Sequence, residues 1–172
     1  ANVTGISFLM KKNKITVHQG FGSLVDANTL KVKKDDGSEE QITAKNFIIA
    51  TGTSPFIPDI PGLSSTSFLT NETLYDLKDL PRSMIILGGG VDGLEYASAF
   101  ARLGVETTVV EMATRLLPSA DRELVNQLLH SMVTEGLRLL TGTNALNLRN
   151  RQDRAVLNYQ TEDGLIEEIE AD

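Results

Sequence analysis

The segment Gly88–Gly93 carries the residue types and the spacing that could bind a dinucleotide. It reads Gly-Gly-Gly-Val-Asp-Gly and so fits the pattern G-x-G-x-x-G. In this pattern Gly88 makes a tight turn, Gly90 lets backbone N–H groups approach a pyrophosphate, and Gly93 allows a helix to pack closely on a strand. The pyrophosphate would bind at the helix N-terminus, where unpaired N–H groups and the helix dipole favour negative charge. The predicted cofactor-binding residues of this segment are Gly88, Gly89, Gly90, Val91, Asp92 and Gly93.

Glu111 is the acidic residue that such a site needs further along the chain. It ends the second strand of the predicted unit, about 20 residues beyond the glycines, where a carboxylate can accept hydrogen bonds from an adenosine ribose. The same carboxylate would repel the 2′-phosphate of NADP. We therefore predict NAD as the cofactor and Glu111 as one of the residues that bind it.

The elements around the glycines are those that a dinucleotide site requires. Strands are predicted at Met84–Leu87, Thr107–Val110 and Leu137–Thr141, and helices at Val91–Leu103 and Asp121–Glu135. This alternation of strand and helix indicates a parallel sheet with right-handed crossovers. A strand directly precedes the glycines and a helix directly follows them, so the context favours a dinucleotide site over an ordinary tight turn.

The rest of the chain is predicted to be mainly β-structure. Alternating segments at 14–18, 22–25 and 29–33 predict a small antiparallel meander, and the apolar run Phe47–Ala50 predicts a strand buried on both faces. Three prolines between Ser54 and Gly62 predict an extended connection.

Two further elements flank the glycine unit. Thr70 could cap a short helix that reaches about Leu77, and the segments 155–159 and 165–169 predict a hairpin. A change of pattern near Asp79 divides the chain into residues 1–78 and 79–172. The predicted fold class is therefore α/β, with a Rossmann-like parallel sheet after the division and a β-meander before it.

The composition excludes several classes of function. The chain has 16 Lys and Arg against 23 Asp and Glu, a net charge of −7, and a pI near 4.9, so nucleic acids and anionic membranes are excluded as principal partners. It has no cysteine, which excludes a disulfide scaffold, a thiolate metal site and a cysteine nucleophile within these residues. No metal-ligand spacing, long apolar run or signal peptide is found, so a cytoplasmic location is expected.

Two ordered segments resemble the pyridine nucleotide-disulfide oxidoreductases. The first is Ile48–Pro55 with its continuation to Pro61 and Gly62, and the second runs from Leu80 and Pro81 through Gly88 to Glu95. Within that family the chain is most similar to the dihydrolipoamide dehydrogenase and mercuric reductase branch. The resemblance covers nearly the whole chain. It implies that residues 1–78 are part of an FAD-binding domain and that residues 79–172 are an NAD(P)-binding domain.

The resemblance also implies roles for residues outside the glycine segment. Glu95 matches the family glutamate that reaches the nicotinamide and pairs with a lysine beside a redox disulfide, so it is the predicted catalytic residue. Ala50, Thr51 and Gly52 match the segment whose backbone lies against FAD. Asn144 falls where a family residue contacts adenine. Val91 agrees with the lipoamide-type pattern, because relatives that differ there often carry tyrosine.

The resemblance further implies that these residues are the middle of a longer protein. Family members begin with an FAD-binding G-x-G-x-x-G and a C-x-x-x-x-C disulfide, and they end with a second FAD contact and a dimerisation domain that carries a His-Glu pair. None of these is in the sequence. The expected whole protein is a homodimeric enzyme that passes hydride from NADH through FAD to a disulfide and then to a substrate. The chain alone is expected to be inactive, since its partners are the missing FAD and interface domains.

Asp92 departs from the family pattern, which usually has an apolar residue at this position, and a carboxylate there could repel the pyrophosphate. Two alternatives to the enzyme stay open. The chain could be a non-catalytic NAD(H)-binding or redox-sensing module, or it could be a Rossmann-like domain whose site has lapsed, for which Asp92 is the best argument. His18 and His130 are interpreted as structural, since the spacing identifies no acid–base partner for either residue.

Overall fold

The structure is a computed structural model that describes residues 2–172. These residues form two compact units that divide between Thr53 and Ser54. Across residues 2–172 there are three three-stranded sheets, of which the central one along the chain is parallel and the other two are antiparallel. The predicted α/β fold class with a parallel sheet is thus confirmed.

The first unit contains a helix followed by an antiparallel meander. The elements are α1 (Asn2–Lys12), β1 (Phe21–Asp26), β2 (Thr29–Lys33) and β3 (Glu39–Thr43). Carboxylates close both turns, since Asp26 accepts the N–H of Asn28 and Asp36 accepts the N–H of Ser38, each at 2.8 Å. The predicted meander is present, but it is displaced by one strand along the chain.

Two strands predicted in this unit do not form. Lys14 has φ 57° at the end of α1, and the N–H of Ile15 donates back to the carbonyl of Met10 at 2.9 Å, so residues 14–18 leave the helix without becoming a strand. The predicted strand Phe47–Ala50 is also wrong, and Ile48 is 94% exposed. A strand of this kind needs neighbours to receive its hydrogen bonds, and no strand within residues 2–172 pairs with it.

The second unit contains the predicted parallel sheet. Its elements are β4 (Ser83–Leu87), α2 (Val91–Arg102), β5 (Glu106–Val110), α3 (Arg122–Thr134) and β6 (Arg138–Leu140). The strands pair in the order β4-β5-β6, all parallel. The two helices cover the sheet through a core of apolar side chains from both helices, β5, the loop after β5 and the residue before β6: Leu94, Ala97, Val109, Leu116, Met132 and Leu137.

An antiparallel sheet follows the parallel one along the chain. It contains β7 (Asn144–Arg151), β8 (Arg154–Gln160) and β9 (Ile166–Ala171), paired in that order. The predicted hairpin is therefore confirmed as β8 and β9, whereas β7 was not predicted. Leu157 and Tyr159 of β8 are buried together with Val110 of β5, so the two sheets share apolar contacts.

The connection before β4 packs on β7. The carbonyl of Pro61 accepts the N–H of Leu148 at 2.8 Å, and the side chain of Asn150 donates to the carbonyl of Ser65 at 2.8 Å. These bonds explain why residues from 54 onward belong to the second unit. The predicted division between residues 78 and 79 concerns cofactor domains and stays a prediction.

The helix predicted from Thr70 to Leu77 is only a single 3₁₀ turn at Leu74–Asp76. The Thr70 hydroxyl does accept the N–H groups of Glu72 and Thr73, at 3.2 and 3.4 Å, so the capping bonds form. The segment is too short to offset the cost of nucleating an α-helix. No helix within residues 2–172 combines the length and the apolar character needed to cross a bilayer.

Candidate functional site

The turn between β4 and α2 has the geometry that the glycine pattern predicts. Gly88 has φ 110°, which side chains other than glycine rarely allow, and its N–H donates to the carbonyl of Val110 on β5 at 2.9 Å. A Cβ on Gly93 would lie 2.1 Å from the carbonyl oxygen of Gly88. The tight turn at Gly88 and the close approach at Gly93 are therefore both present.

Gly89 and Gly90, which lie between Gly88 and Gly93, differ in how tightly they are packed. A Cβ on Gly89 would lie 1.9 Å from Cδ2 of Leu116, which is buried. A Cβ on Gly90 would meet no heavy atom of the described residues within 4 Å. Gly89 thus packs against the core, whereas Gly90 leaves open space above the turn.

The N-terminus of α2 opens toward this space. Gly90 is the N-cap residue, and no side chain of the described residues caps this end of the helix. The first intrahelical bond is from the N–H of Leu94 to the carbonyl of Gly90, at 3.0 Å. The N–H groups of the first turn therefore have no intrahelical partner, and they can receive an anionic ligand.

Glu111 lies against the glycine turn, at the carboxyl end of β5. Its Oε2 accepts the N–H of Gly89 at 2.7 Å, and its Oε1 accepts the N–H of Ala113 at 2.7 Å. The side chain is half-buried. The structure thus brings Glu111 and the glycine turn together, as the sequence predicts, but the bonds between its carboxylate and backbone N–H groups were not predicted.

Three predicted residues lie on the exposed face of α2. Val91 is 62% exposed, and Asp92 and Glu95 are also exposed. Val91 and Glu95 line one shallow groove, which Leu128 of α3 borders on the other side. Asp92 lies in the first turn of the helix, where its charge is favourable toward the helix dipole.

The start of α2 carries concentrated negative charge. A hydrogen bond with Tyr75 and desolvation raise the pKa of Tyr96, and the charges of Asp92 and Glu95 add smaller effects in the same direction. Tyr96 follows Glu95 directly in the sequence. A ligand that reached Glu95 would therefore pass close to two carboxylates, while Arg102 lines the same groove farther along α2.

Asn144 lies at the same end of the parallel sheet as Glu111. It is the first residue of β7 and is exposed, and the preceding Thr143 is buried. The N–H of Thr143 donates to the backbone carbonyl of Glu111 at 3.0 Å. Asn144 therefore directly follows the residue that is hydrogen-bonded to the backbone of Glu111.

The predicted flavin contacts lie in the other unit. Ala50, Thr51 and Gly52 are exposed and outside any helix or strand, and Gly52 has φ 79°. Nothing among the described residues lies within 4 Å of a Cβ built on Gly52. The backbone at this position is therefore open to close approach.

Sequence reasoning missed two residues that shape the glycine turn. Leu116 packs beneath Gly89, and Ala113 binds the second oxygen of Glu111. Both lie in the loop after β5, where no periodic pattern marks them. Within residues 2–172, no group of three or more His, Asp or Glu side chains is arranged to hold a metal ion.

Comparison with known proteins shows similarity over nearly the whole chain. The family model described as "Pyridine nucleotide-disulphide oxidoreductase" matches residues 2–172. Dihydrolipoyl dehydrogenase of Mycobacterium tuberculosis is 37% identical over 171 residues, which cover 99% of this chain and 36% of that enzyme. Dihydrolipoyl dehydrogenase of Trypanosoma brucei brucei is 41% identical over 134 residues, covering 77% of this chain and 28% of that enzyme.

Solved structures show the same similarity. LpdA from Mycobacterium tuberculosis matches with a TM-score of 0.76 and 29% identity, over 98% of this chain and 37% of that one. The HOCl-induced flavoprotein disulfide reductase RclA from Escherichia coli matches with a TM-score of 0.68 and 26% identity, over 97% of this chain and 38% of that one. The matched parts therefore span between 28% and 38% of the length of these relatives.

Proposed function

Because this chain belongs to the pyridine nucleotide-disulphide oxidoreductase family, we propose that it is the central nucleotide-binding part of an enzyme similar to dihydrolipoyl dehydrogenase. Residues 79–172 would form its NAD(H)-binding domain, and residues 1–78 would form part of its FAD-binding domain. The observation that supports this proposal best is the glycine turn. It combines a positive φ at Gly88 with open space at Gly90 and an uncapped helix N-terminus.

The glycine turn fits a dinucleotide pyrophosphate. The open space above Gly90 is the volume that a Cβ would partly fill, and the N–H groups of the first turn of α2 are directed to that end of the helix. Glu111 would accept hydrogen bonds from the adenosine ribose while it repels a 2′-phosphate. Asn144 would lie beside the adenine.

Glu95 would act at the other end of the nucleotide. It lies one helical turn beyond Val91 on the same exposed groove, so a dinucleotide held at Gly90 could extend its nicotinamide toward this face. We propose that the Glu95 carboxylate orients the nicotinamide ring. When bound, NADH would supply a hydride and FAD would receive it, and the residues of this chain would orient the two cofactors.

The flavin contacts proposed in this chain are backbone contacts. Ala50, Thr51 and Gly52 are exposed, and Gly52 has no Cβ to obstruct a ring system. The redox disulfide and the remaining FAD contacts would come from other parts of the whole protein. That protein would be a homodimer, in keeping with the family resemblance, and its expected location is the cytoplasm.

Nucleotide binding tests the proposal directly. Titration of the protein with NADH, followed by fluorescence, is expected to show saturable binding that is tighter than the binding of NADPH. Gly90→Ala should weaken NADH binding by tenfold or more, because the added methyl group would occupy the space above the turn. The backbone of Gly90, with φ −75° and ψ −173°, tolerates alanine, so the variant should fold.

Gly5→Ala is the matched control. A Cβ on Gly5 also meets no heavy atom of the described residues within 4 Å, but Gly5 lies in α1, in the other unit. This variant should bind NADH as the unchanged protein does. Failure of the unchanged protein to bind NADH, or an equal effect of the two substitutions, would contradict the proposed site. Binding without any NADH turnover in the full-length protein would instead favour a redox-sensing module.

A further inference from the structure

Both oxygens of the Glu111 carboxylate are held by backbone N–H groups from different loops. Oε2 accepts from Gly89 in the turn after β4, and Oε1 accepts from Ala113 in the loop after β5, each at 2.7 Å. Hydrogen bonds of this length to an ionised carboxylate are the stronger kind. The carboxylate is therefore fixed in place before any nucleotide arrives.

The backbone of Glu111 forms hydrogen bonds with the end of β6 and with the loop that follows it. Its N–H donates to the carbonyl of Leu140 at 2.8 Å, and its carbonyl accepts the N–H of Thr143 at 3.0 Å. The N–H of Gly142 donates to the carbonyl of Ala113 at 2.9 Å. Glu111 thus connects the loops that follow β4, β5 and β6, all at the carboxyl end of the parallel sheet.

We propose that Glu111 is a positioning residue that fixes the glycine turn in its binding geometry, in addition to any contact that it makes with the ribose. This inference rests on the proposed function, since the turn that Glu111 holds is the proposed pyrophosphate site. A turn that is already fixed loses less conformational freedom when the ligand binds, so affinity is higher. Leu116 supports the same turn from below by packing against Gly89.

The positioning role and a ribose contact predict different results with a modified nucleotide. An NADH analogue whose adenosine ribose lacks both the 2′- and 3′-hydroxyls cannot bond to Glu111. If Glu111 acted through the ribose alone, its substitution would leave the affinity for this analogue unchanged. If Glu111 holds the turn, substitution will weaken binding of the analogue as well.

Glu111→Gln is the variant of choice, because it keeps the shape of the side chain. Its amide oxygen can accept one N–H, but its NH₂ group would face the other donor, so at least one of the two bonds is lost. We expect the affinity for the dideoxy analogue to fall by about tenfold, the order of one hydrogen bond to a charged group. Glu106→Gln, an exposed position at the other end of β5, should leave that affinity unchanged.

Amide hydrogen exchange without ligand provides the second measurement. Exchange at Gly89, at Ala113 or at both should accelerate by about tenfold in Glu111→Gln, according to which N–H group loses its acceptor, whereas Thr143, which bonds to the Glu111 backbone, should keep its protection. A general loss of stability would accelerate all three. If Glu111→Gln does not fold, Glu111→Asp serves with the same expectation, because its shorter side chain cannot reach both N–H groups.

Each outcome decides the inference. Faster exchange at Gly89, Ala113 or both, together with weaker analogue binding, supports it. Unchanged exchange at both amides, or faster exchange with unchanged analogue affinity, overturns it. If the unchanged protein binds neither NADH nor the analogue, the proposed function fails, and hydrogen exchange alone then decides whether Glu111 holds the turn.

Discussion

Two carboxylates near the glycine turn have opposite surroundings. Glu111 is half-buried, and backbone N–H groups bind both of its oxygens. Asp92 is exposed in the first turn of α2. The Glu111 carboxylate therefore stabilises the fold through its hydrogen bonds to Gly89 and Ala113, whereas the charge of Asp92 acts on a ligand that binds at the N-terminus of α2.

Asp92 is expected to lower nucleotide affinity while it stabilises the helix. Both Asp92→Asn and Asp92→Ile should tighten NADH binding by up to about tenfold, since one screened charge contributes about 1 kcal/mol. Loss of the favourable dipole interaction should lower the free energy of unfolding by about 0.3–1 kcal/mol. Fluorescence titration and urea unfolding measure the two effects. Unchanged affinity in both variants would show that the carboxylate does not act on the pyrophosphate.

At the scale of the elements, the start of β4 is held by hydrogen bonds to the side chain of Asp172, which is distant in the sequence. Oδ2 of Asp172 accepts the backbone N–H groups of Arg82 and Ser83, at 2.9 and 3.0 Å, and Oδ1 lies 3.3 Å from Nε of Arg154. Desolvation raises the pKa of Asp172, but the N–H groups of Ser83 and Arg82 together with the charge of Arg154 outweigh it, so the pKa lies below its ordinary value. The ionised form is therefore the one that holds β4.

This lowered pKa predicts a pH-dependent contribution to stability. A carboxylate with a depressed folded-state pKa contributes its full stabilisation above its unfolded-state pKa, and loses it as the pH falls through the folded-state value. Asp172→Asn should therefore have a lower melting temperature than the unchanged protein at pH 7, and the difference should shrink toward pH 2. Asp79→Asn, at an exposed position, is the control. A difference that does not depend on pH would contradict this account.

The sequence predicts well those helices and strands whose ends are marked by nearby residues. α2, β5 and α3 were predicted within one or two residues, because helical periodicity, the cap at Asp121 and glycine stops mark their ends. Phe47–Ala50 was predicted wrongly, because its strand would depend on neighbours that the described chain does not supply. β7 was not predicted because its many polar residues obscure the alternation of apolar and polar positions that marks a strand. α1 was not predicted because Gly5 and several β-branched residues weaken its helical pattern.

The candidate site divides in the same way. The glycine turn and the acidic residue at the end of β5 follow from spacing alone, because the backbone geometry of each is local. Leu116 and Ala113 reach the turn only through the folding of the loop after β5. Contacts of that kind carry no periodic pattern in the sequence.

At the scale of the whole molecule, large apolar side chains are exposed in both units. Ile48 is 94% exposed and Phe21 77% in the first unit, and Phe56 is 88% exposed in the second. Exposed apolar surface of this extent is typical of surfaces that contact other protein. It agrees with the proposal that these residues are part of a longer protein.

These residues, expressed as they stand, should not be a working flavoenzyme. The sequence holds one glycine fingerprint, assigned here to NAD, and no cysteine. We expect the purified chain to be colourless, and to show no NADH-dependent reduction of lipoamide, glutathione disulfide or mercuric ion. An absorption spectrum and an NADH oxidation assay test this. A stoichiometric flavin band, or turnover with any of these acceptors, would contradict the prediction.

The contact between Ser83 and Asp172 has a consequence for the order of events on the ribosome. The two residues are 89 positions apart, and Ser83 opens the first strand of the parallel sheet. β4, β5 and β6 can pair as soon as residue 140 has left the exit tunnel. The hydrogen bonds from the N–H groups of Arg82 and Ser83 to Asp172 form only after residue 172 has left it as well. In a nascent chain arrested between these two points, the three strands would be paired but the N–H groups of Arg82 and Ser83 would lack their acceptor, and we expect proteases to cleave near this end of β4 first.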